Sequence, residues 1–197
     1  MPHLVPDVLF PAGAAAVPDD PGRRLPAATL RALVLDGDLA PIGAGFQPID
    51  LPTTDAIRAA SIAPRVPSRL APGLIGVAGR TAAWVWGAAP VLAEPLTVLV
   101  RRGGRMPAVD QPGAHLHGVE LAADELVRLG GLLVTTPART AIDLLREPPG
   151  RYDAALVARL LRERRIRPET LQRTLAAPGR LRGRRIARRR LQLLLTR

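Results

Sequence analysis

The sequence predicts a mixed α/β fold that ends in a helical C-terminal region. Leu96–Val100 is a β-branched run bounded by Pro95 and arginines, which is typical of a buried strand, and Ala114–Val119 and Leu132–Thr135 are two further strand candidates. Segments with apolar residues at helical spacing lie before and after these strand candidates and continue alone after residue 150. A hydrophobic content of 47% in 197 residues is sufficient for a folded core.

The first part of the chain predicts two helices with a hairpin between them. Residues 1–22 are rich in proline, alanine and aspartate and predict an irregular tail. The elements expected next are a helix at Ala27–Leu35, a hairpin-like stretch through Ile42 and Phe46, and a helix at Asp55–Ile62. Thr53 or Thr54 is suited to cap the second helix, and the prolines at 64, 67 and 72 end this part of the chain.

Residues 73–150 predict an α/β core. The expected elements are a helix at Gly79–Trp86, strands at Leu96–Val100, Ala114–Val119 and Leu132–Thr135, and a helix at Ala138–Arg146. Thr136 is expected to cap the last of these helices, with Pro137 in its first turn, and Arg139 is expected to pair with Asp143 one turn later. Trp84 and Trp86 face different directions on a helix, so we expect one in the core and the other at an interface.

The excess positive charge lies in residues 151–197, where helices are expected at Asp153–Arg164, Pro168–Ala176 and about Leu181–Leu195. Residues 1–150 hold 13 arginines and 14 acidic residues, whereas residues 151–197 hold 15 arginines and 3 acidic residues. On the last helix one arc holds the candidate nucleic-acid-binding residues Arg182, Arg184, Arg185, Arg188 and Arg189. Largely opposite lie Ile186, Ala187, Leu191, Leu193 and Leu194, with Arg190 intruding among them.

This amphipathic pattern predicts that the apolar face packs on the domain while the arginines contact DNA phosphates. A solvated arginine face, an acidic partner and a membrane surface stay open as alternative interpretations.

Several classes of enzyme and site are excluded by composition. Without cysteine the chain has no disulfide framework, thiolate zinc site or cysteine nucleophile, and without lysine it has no Schiff-base or P-loop lysine and no PD-(D/E)xK nuclease centre. Ser61 and Ser68 do not lie in a G-x-S-x-G motif. His115 and His117 share a strand face, but with three histidines in all we interpret them as strand or loop residues rather than metal ligands. We therefore expect no catalytic site, no metal and no cofactor.

The N-terminus MPHLVPDVLF lacks a basic region, and charges and prolines interrupt the apolar stretch 73–100. Neither a signal peptide nor a membrane span is predicted, and we expect a cytoplasmic protein.

Four motifs together resemble the AbiEi-type antitoxins of abortive-infection systems and related actinobacterial proteins. They are GRTAAWVWGA, LTVLVRR, HLHGVELAADELVRLGG and LLVTTPARTAIDLL, the last being similar to the recurrent form "glpvTsparTliDla". Downstream, Leu171–Leu175 and the Gly-Arg-rich stretch 179–190 also fit, so that the resemblance covers about residues 25–195.

The resemblance implies an antitoxin that binds DNA, represses its own operon and has a cognate toxin as a possible partner. It implies a winged-helix-like segment at 23–72, although the helix Thr54–Ile62 has Arg58 as its one basic residue, so we expect the C-terminal tail to make most DNA contacts. Many relatives continue into a Vsr-like nuclease domain, which we expect this chain to lack. A protein-interaction module that binds an acidic partner, such as a toxin, is the alternative.

Overall fold

A computed structural model describes residues 8–11, 24–66, 74–101, 113–119, 121–177 and 182–196. Within them the α-helices are α1 Ala27–Leu35, α2 Asp55–Ile62, α3 Gly79–Val85, α4 Pro137–Leu145, α5 Ala154–Glu163, α6 Pro168–Ala176 and α7 Arg184–Leu195. The strands are β1 Phe10–Pro11, β2 Arg24–Leu25, β3 Leu39–Ile42, β4 Gly45–Pro48, β5 Leu74–Val77, β6 Leu96–Arg101, β7 Ala114–Val119, β8 Leu126–Leu129 and β9 Leu132–Thr135. The fold is mixed α/β, as the sequence predicts.

The largest sheet has five strands in the order β7-β6-β5-β9-β8. β6 pairs with β7, and β5 with β9, in parallel, whereas β5 pairs with β6, and β8 with β9, antiparallel. The central strand β5 is absent from the sequence prediction because Gly76 interrupts its short apolar run. That glycine is required, since a Cβ on it would overlap the carbonyl oxygen of Leu133 on β9.

Strand β8 also escapes the sequence prediction. It forms a hairpin with β9 through Gly130 and Gly131, both of which have positive φ, at +50° and +84°. A two-residue Gly-Gly connection between apolar runs is a recognised hairpin signal, so this strand is predictable in principle.

The described part of the predicted winged-helix-like segment 23–72 contains β2, α1, the β3–β4 hairpin and α2, while residues 23 and 67–72 lie outside the described residues. Thr54 caps α2 by accepting a hydrogen bond from the amide of Ile57 at 3.2 Å. Helix α2 packs on α3 and on the β8–β9 hairpin, and none of its eight residues is exposed. Its Arg58 guanidinium lies 5.1 Å from the ring centre of Trp84. As folded, α2 has no free face for a DNA groove.

Helix α4 lies at the centre of the helical layer, in contact with α3, α5, α6 and α7. Thr136 caps it by accepting from the Arg139 amide at 3.4 Å, and Pro137 occupies the first turn, as predicted. Its side chains Ala141, Ile142, Leu144 and Leu145 are all buried. This helix is therefore part of the core on several sides.

The prediction that one tryptophan reaches an interface is wrong, because both rings are buried. Helix α3 is in contact with both α2 and α4, and all but one of its seven residues are buried. Trp84 lies beneath Arg58, while Trp86 lies just past the end of α3 and donates from Nε1 to the carbonyl of Thr135 at 2.8 Å. Among the described residues, no helix is long and apolar enough to cross a bilayer.

We expect Leu145→Ala to lower the free energy of unfolding by about 2–5 kcal/mol, because the substitution leaves a cavity beneath a fully buried side chain. Leu35→Ala is the matched control, since Leu35 is 86% exposed, and we expect it to change stability by less than about 0.5 kcal/mol. Urea denaturation of both variants measures the difference. Equal losses in the two variants would contradict the central position of α4.

Candidate nucleic-acid interface

Helix α7, which carries most of the predicted phosphate contacts, is docked on α4 and α6. It begins after Gly183, which has a φ of +77°. Ala187 and Leu191 are buried beneath it, and Leu194 is half-buried. The docked stripe is narrow, so most of the helix circumference faces solvent.

Arg190 holds α7 against the end of α4. It lies on the docked side of the helix, among the apolar residues, as the sequence predicts. Its Nη1 donates to the carbonyls of Leu145 at 2.9 Å and Glu147 at 2.5 Å, where α4 ends. Its guanidinium carbon also lies 3.9 Å from the ring centre of Tyr152. A cation beside the terminal carbonyls of a helix is favourable because it neutralises the negative end of the helix dipole.

The five predicted binding arginines have different environments. Arg185 and Arg189 are exposed, lie one turn apart, and form no hydrogen bond or ion pair within the described part of the chain. Arg188 is exposed but donates from Nε to the carbonyl of Leu175 at 3.0 Å, at the end of α6. Arg182 is exposed ahead of the helix, and Arg184 is half-buried at its start. The structure thus brings three of the five, at 185, 188 and 189, to one exposed side of α7.

The prediction that Ile186 and Leu193 belong to the packing face is wrong. Ile186 is 47% exposed and Leu193 is 55% exposed. The groove between α4 and α6 covers only the stripe through Ala187 and Leu191, so these two side chains lie beyond its edge, next to the arginines. Sequence periodicity cannot give the width of that groove.

Other arginines form ion pairs and hydrogen bonds within the fold. Arg139 pairs with Asp143 at 3.1 Å, as predicted, and also with Glu125 at 2.8 Å, which the sequence does not reveal. Arg164 forms two hydrogen bonds to Asp55, at 2.6 and 2.5 Å, and donates to the carbonyl of Trp86. These contacts separate structural arginines from the arginines that face solvent.

Burial of the charged side chains on and beside α4 affects their pKa values. Burial raises the pKa of the Asp143 carboxyl, and the guanidinium groups of Arg139 and Arg146 oppose that rise. Arg146 donates from Nη1 to Asp143 and from Nε to the carbonyl of Arg182, so it links α4 to the segment that leads into α7.

His115 and His117 lie on β7 with exposed rings, and they face the end of α4 across a cavity. The described residues contain no group of three or more histidine, aspartate or glutamate side chains placed to hold a metal ion. Burial lowers the pKa of His117, and the neighbouring His115 and Arg151 lower it further, while Asp143 raises it. His117 is therefore neutral near pH 7.

In comparisons with known proteins, no family model and no curated protein matches this chain.

We expect Arg190→Ala to destabilise the protein by about 2–3 kcal/mol, because two charged hydrogen bonds and a ring contact are lost. The neighbouring Arg189→Ala removes the same charge without a described contact and is expected to cost less than about 0.5 kcal/mol. Urea denaturation distinguishes the two variants. If both unfold at the same urea concentration, Arg190 does not hold α7 in place.

The lowered pKa of His117 predicts a pH dependence of stability. Since the unfolded chain protonates this ring near 6.5 and the folded protein only at lower pH, the unfolded state binds more protons between these values. Stability is thus highest above 6.5 and falls as the pH drops towards the folded pKa. We expect His117→Gln to reduce this fall in urea titrations between about pH 8 and about pH 5. An unchanged profile in the variant would assign the pH dependence to other groups.

Proposed function

We propose that the protein is a non-enzymatic, cytoplasmic DNA-binding regulator similar to AbiEi-type antitoxins, and that α7 and the turn ahead of it contact DNA phosphates through Arg182, Arg184, Arg185, Arg188 and Arg189. The observation that carries this proposal is the exposed pair Arg185 and Arg189, which is held on a docked helix and has no described partner. The resemblance in the motifs at 79–88, 96–102, 115–131 and 132–145 supports the antitoxin class.

Docking of α7 makes these arginines suitable for phosphate binding. The helix is held in place by Arg190, Ala187 and Leu191. The exposed arginines therefore project from a fixed backbone rather than from a mobile tail. A guanidinium pairs with phosphate through two parallel hydrogen bonds, and a fixed row loses less entropy on binding. Arg185 and Arg189 are four residues apart, which separates them by about 6 Å along the helix axis.

The burial of α2 in the N-terminal segment also supports the proposal that DNA is contacted mainly by the C-terminal arginines. With Arg58 lying against Trp84 and no residue of α2 exposed, the N-terminal segment contributes little to base reading in this conformation. Phosphate contacts carry little sequence information, so we expect affinity to depend strongly on salt and weakly on sequence.

A second candidate function is binding of an acidic protein such as a cognate toxin. The exposed Ile186 and Leu193 favour it, because apolar side chains beside arginines are typical of protein interfaces rather than of phosphate contacts. Leu193→Ser separates the two functions, since it is expected to weaken a protein complex and to leave DNA binding unchanged.

We expect the double variant Arg185→Gln, Arg189→Gln to bind the protein's own upstream DNA more weakly and with a smaller salt dependence. Loss of two phosphate contacts reduces the slope of log affinity against log salt by about 1.8, since each contact contributes about 0.9. Fluorescence anisotropy across a salt series measures both quantities.

The matched control is Arg31→Gln, Arg128→Gln, which removes the same charge from exposed positions on α1 and β8. We expect its affinity and salt slope to stay close to those of the unmodified protein. Equal losses in the two double variants would show that net charge rather than α7 drives binding, and absence of binding at low salt would remove the DNA proposal altogether.

A further inference from the structure

A cavity of about 250 Å³ lies between one face of the β6–β7 pair and the end of α4. The parallel register places Thr97 beside His115 and Leu99 beside His117, so these side chains line one wall. Asp143 of α4 and Arg146 just after its end, with Arg151 from the following loop, form the opposite wall. The cavity is separate from the exposed arginine row of α7, and the proposed DNA contacts do not use it.

Within the described residues, the acidic side chains of this cavity have ion-pair partners, whereas one arginine and both histidines have no hydrogen bond. Asp143 is already paired with Arg139 and Arg146, and Glu147 is paired with Arg80 at 3.0 Å. In contrast, the side chains of His115, His117 and Arg151 form no hydrogen bond to another described residue. One guanidinium and two imidazoles are therefore available to a ligand, and all three are donors suited to an oxoanion.

The remainder of the lining is apolar and limits the size of the ligand. Leu99 and Val119 of the sheet, together with Ala78 and Pro148, give the cavity its nonpolar lining. A volume of about 250 Å³ exceeds the roughly 150 Å³ that encloses benzene and falls below the roughly 300–1,000 Å³ of drug-sized sites. This volume suits one ring-sized apolar group together with one anionic head.

We propose that this cavity binds a small organic oxoanion, a phosphate monoester or a carboxylate that carries one compact apolar group, with Arg151, His115 and His117 contacting the anion. The charges facing His117 are Asp143, Glu147, Arg146 and Arg151, together with the His115 ring. A bound anion favours the protonated imidazole, so binding raises the pKa of His117 and tightens as the pH falls into the range in which this ring is protonated.

Histidine-ring NMR tests this inference directly, because the chain contains 3 histidines and the variants His115→Gln and His117→Gln assign two of the signals. The probes are phenyl phosphate, benzoate, inorganic phosphate and benzyl alcohol. We expect saturable shifts of both assigned rings with phenyl phosphate or benzoate, weaker binding of inorganic phosphate, and no saturable shift with benzyl alcohol. The tighter of the two aromatic anions identifies the head group as phosphate or carboxylate.

Arg151→Gln is expected to weaken binding of that anion by about tenfold or more, since it removes a charged hydrogen-bond donor. Arg128→Gln, an exposed arginine on β8, is the matched control and is expected to bind unchanged, with tryptophan fluorescence reporting that both variants are folded. Arg185→Gln, Arg189→Gln should also bind the anion normally, which keeps this test independent of DNA binding.

Three results would overturn the proposal. The first is that neither phenyl phosphate nor benzoate gives a saturable shift. The second is that Arg151→Gln binds the anion with unchanged affinity. The third is that inorganic phosphate binds as tightly as phenyl phosphate, which would show that the apolar lining contributes nothing to binding.

Discussion

Burial of α4 is the constraint on which the other helices depend. Because α3, α5, α6 and α7 all pack on this one short helix, its polar groups must find partners inside the protein. Arg139 is 7% exposed and is neutralised by Asp143 and Glu125, and the carbonyls that end the helix accept hydrogen bonds from Arg190. Removing one member of such a buried charge pair typically costs about 3–5 kcal/mol, so the helix and its ion pairs form one unit.

In a chain without lysine, arginine performs two different tasks. Arg164 connects α5 to α2 through Asp55, and Arg190 connects α7 to α4, so both are part of the fold. Arg185 and Arg189 lie on α7 together with Arg190, but they face solvent. Arg146 lines the proposed anion cavity and also donates to the backbone carbonyl of Arg182 ahead of α7, so it is a further arginine with a structural contact.

The sequence predicted a secondary-structure element correctly where its signals lie within a few consecutive residues. The threonine cap and proline start of α4 and the β-branched run of β6 each lie within a few consecutive residues. Strand β5 was missed because its Gly76 is explained only by the close approach of Leu133, far along the chain. The exposure of Ile186 and Leu193 was missed for a similar reason, since it depends on how much of α7 the helices α4 and α6 cover.

The sequence by itself determined the α/β class, the start of α4, the Arg139–Asp143 pair and the concentration of arginine after residue 150, because these follow from composition and from residues within one helical turn of each other. Tertiary structure alone decided which arginines face solvent, that α2 is enclosed, and that His115 and His117 of β7 face Arg151 across a cavity. The physical reason is that each of these features depends on contacts between segments tens of residues apart, whose orientation is fixed by the shared core.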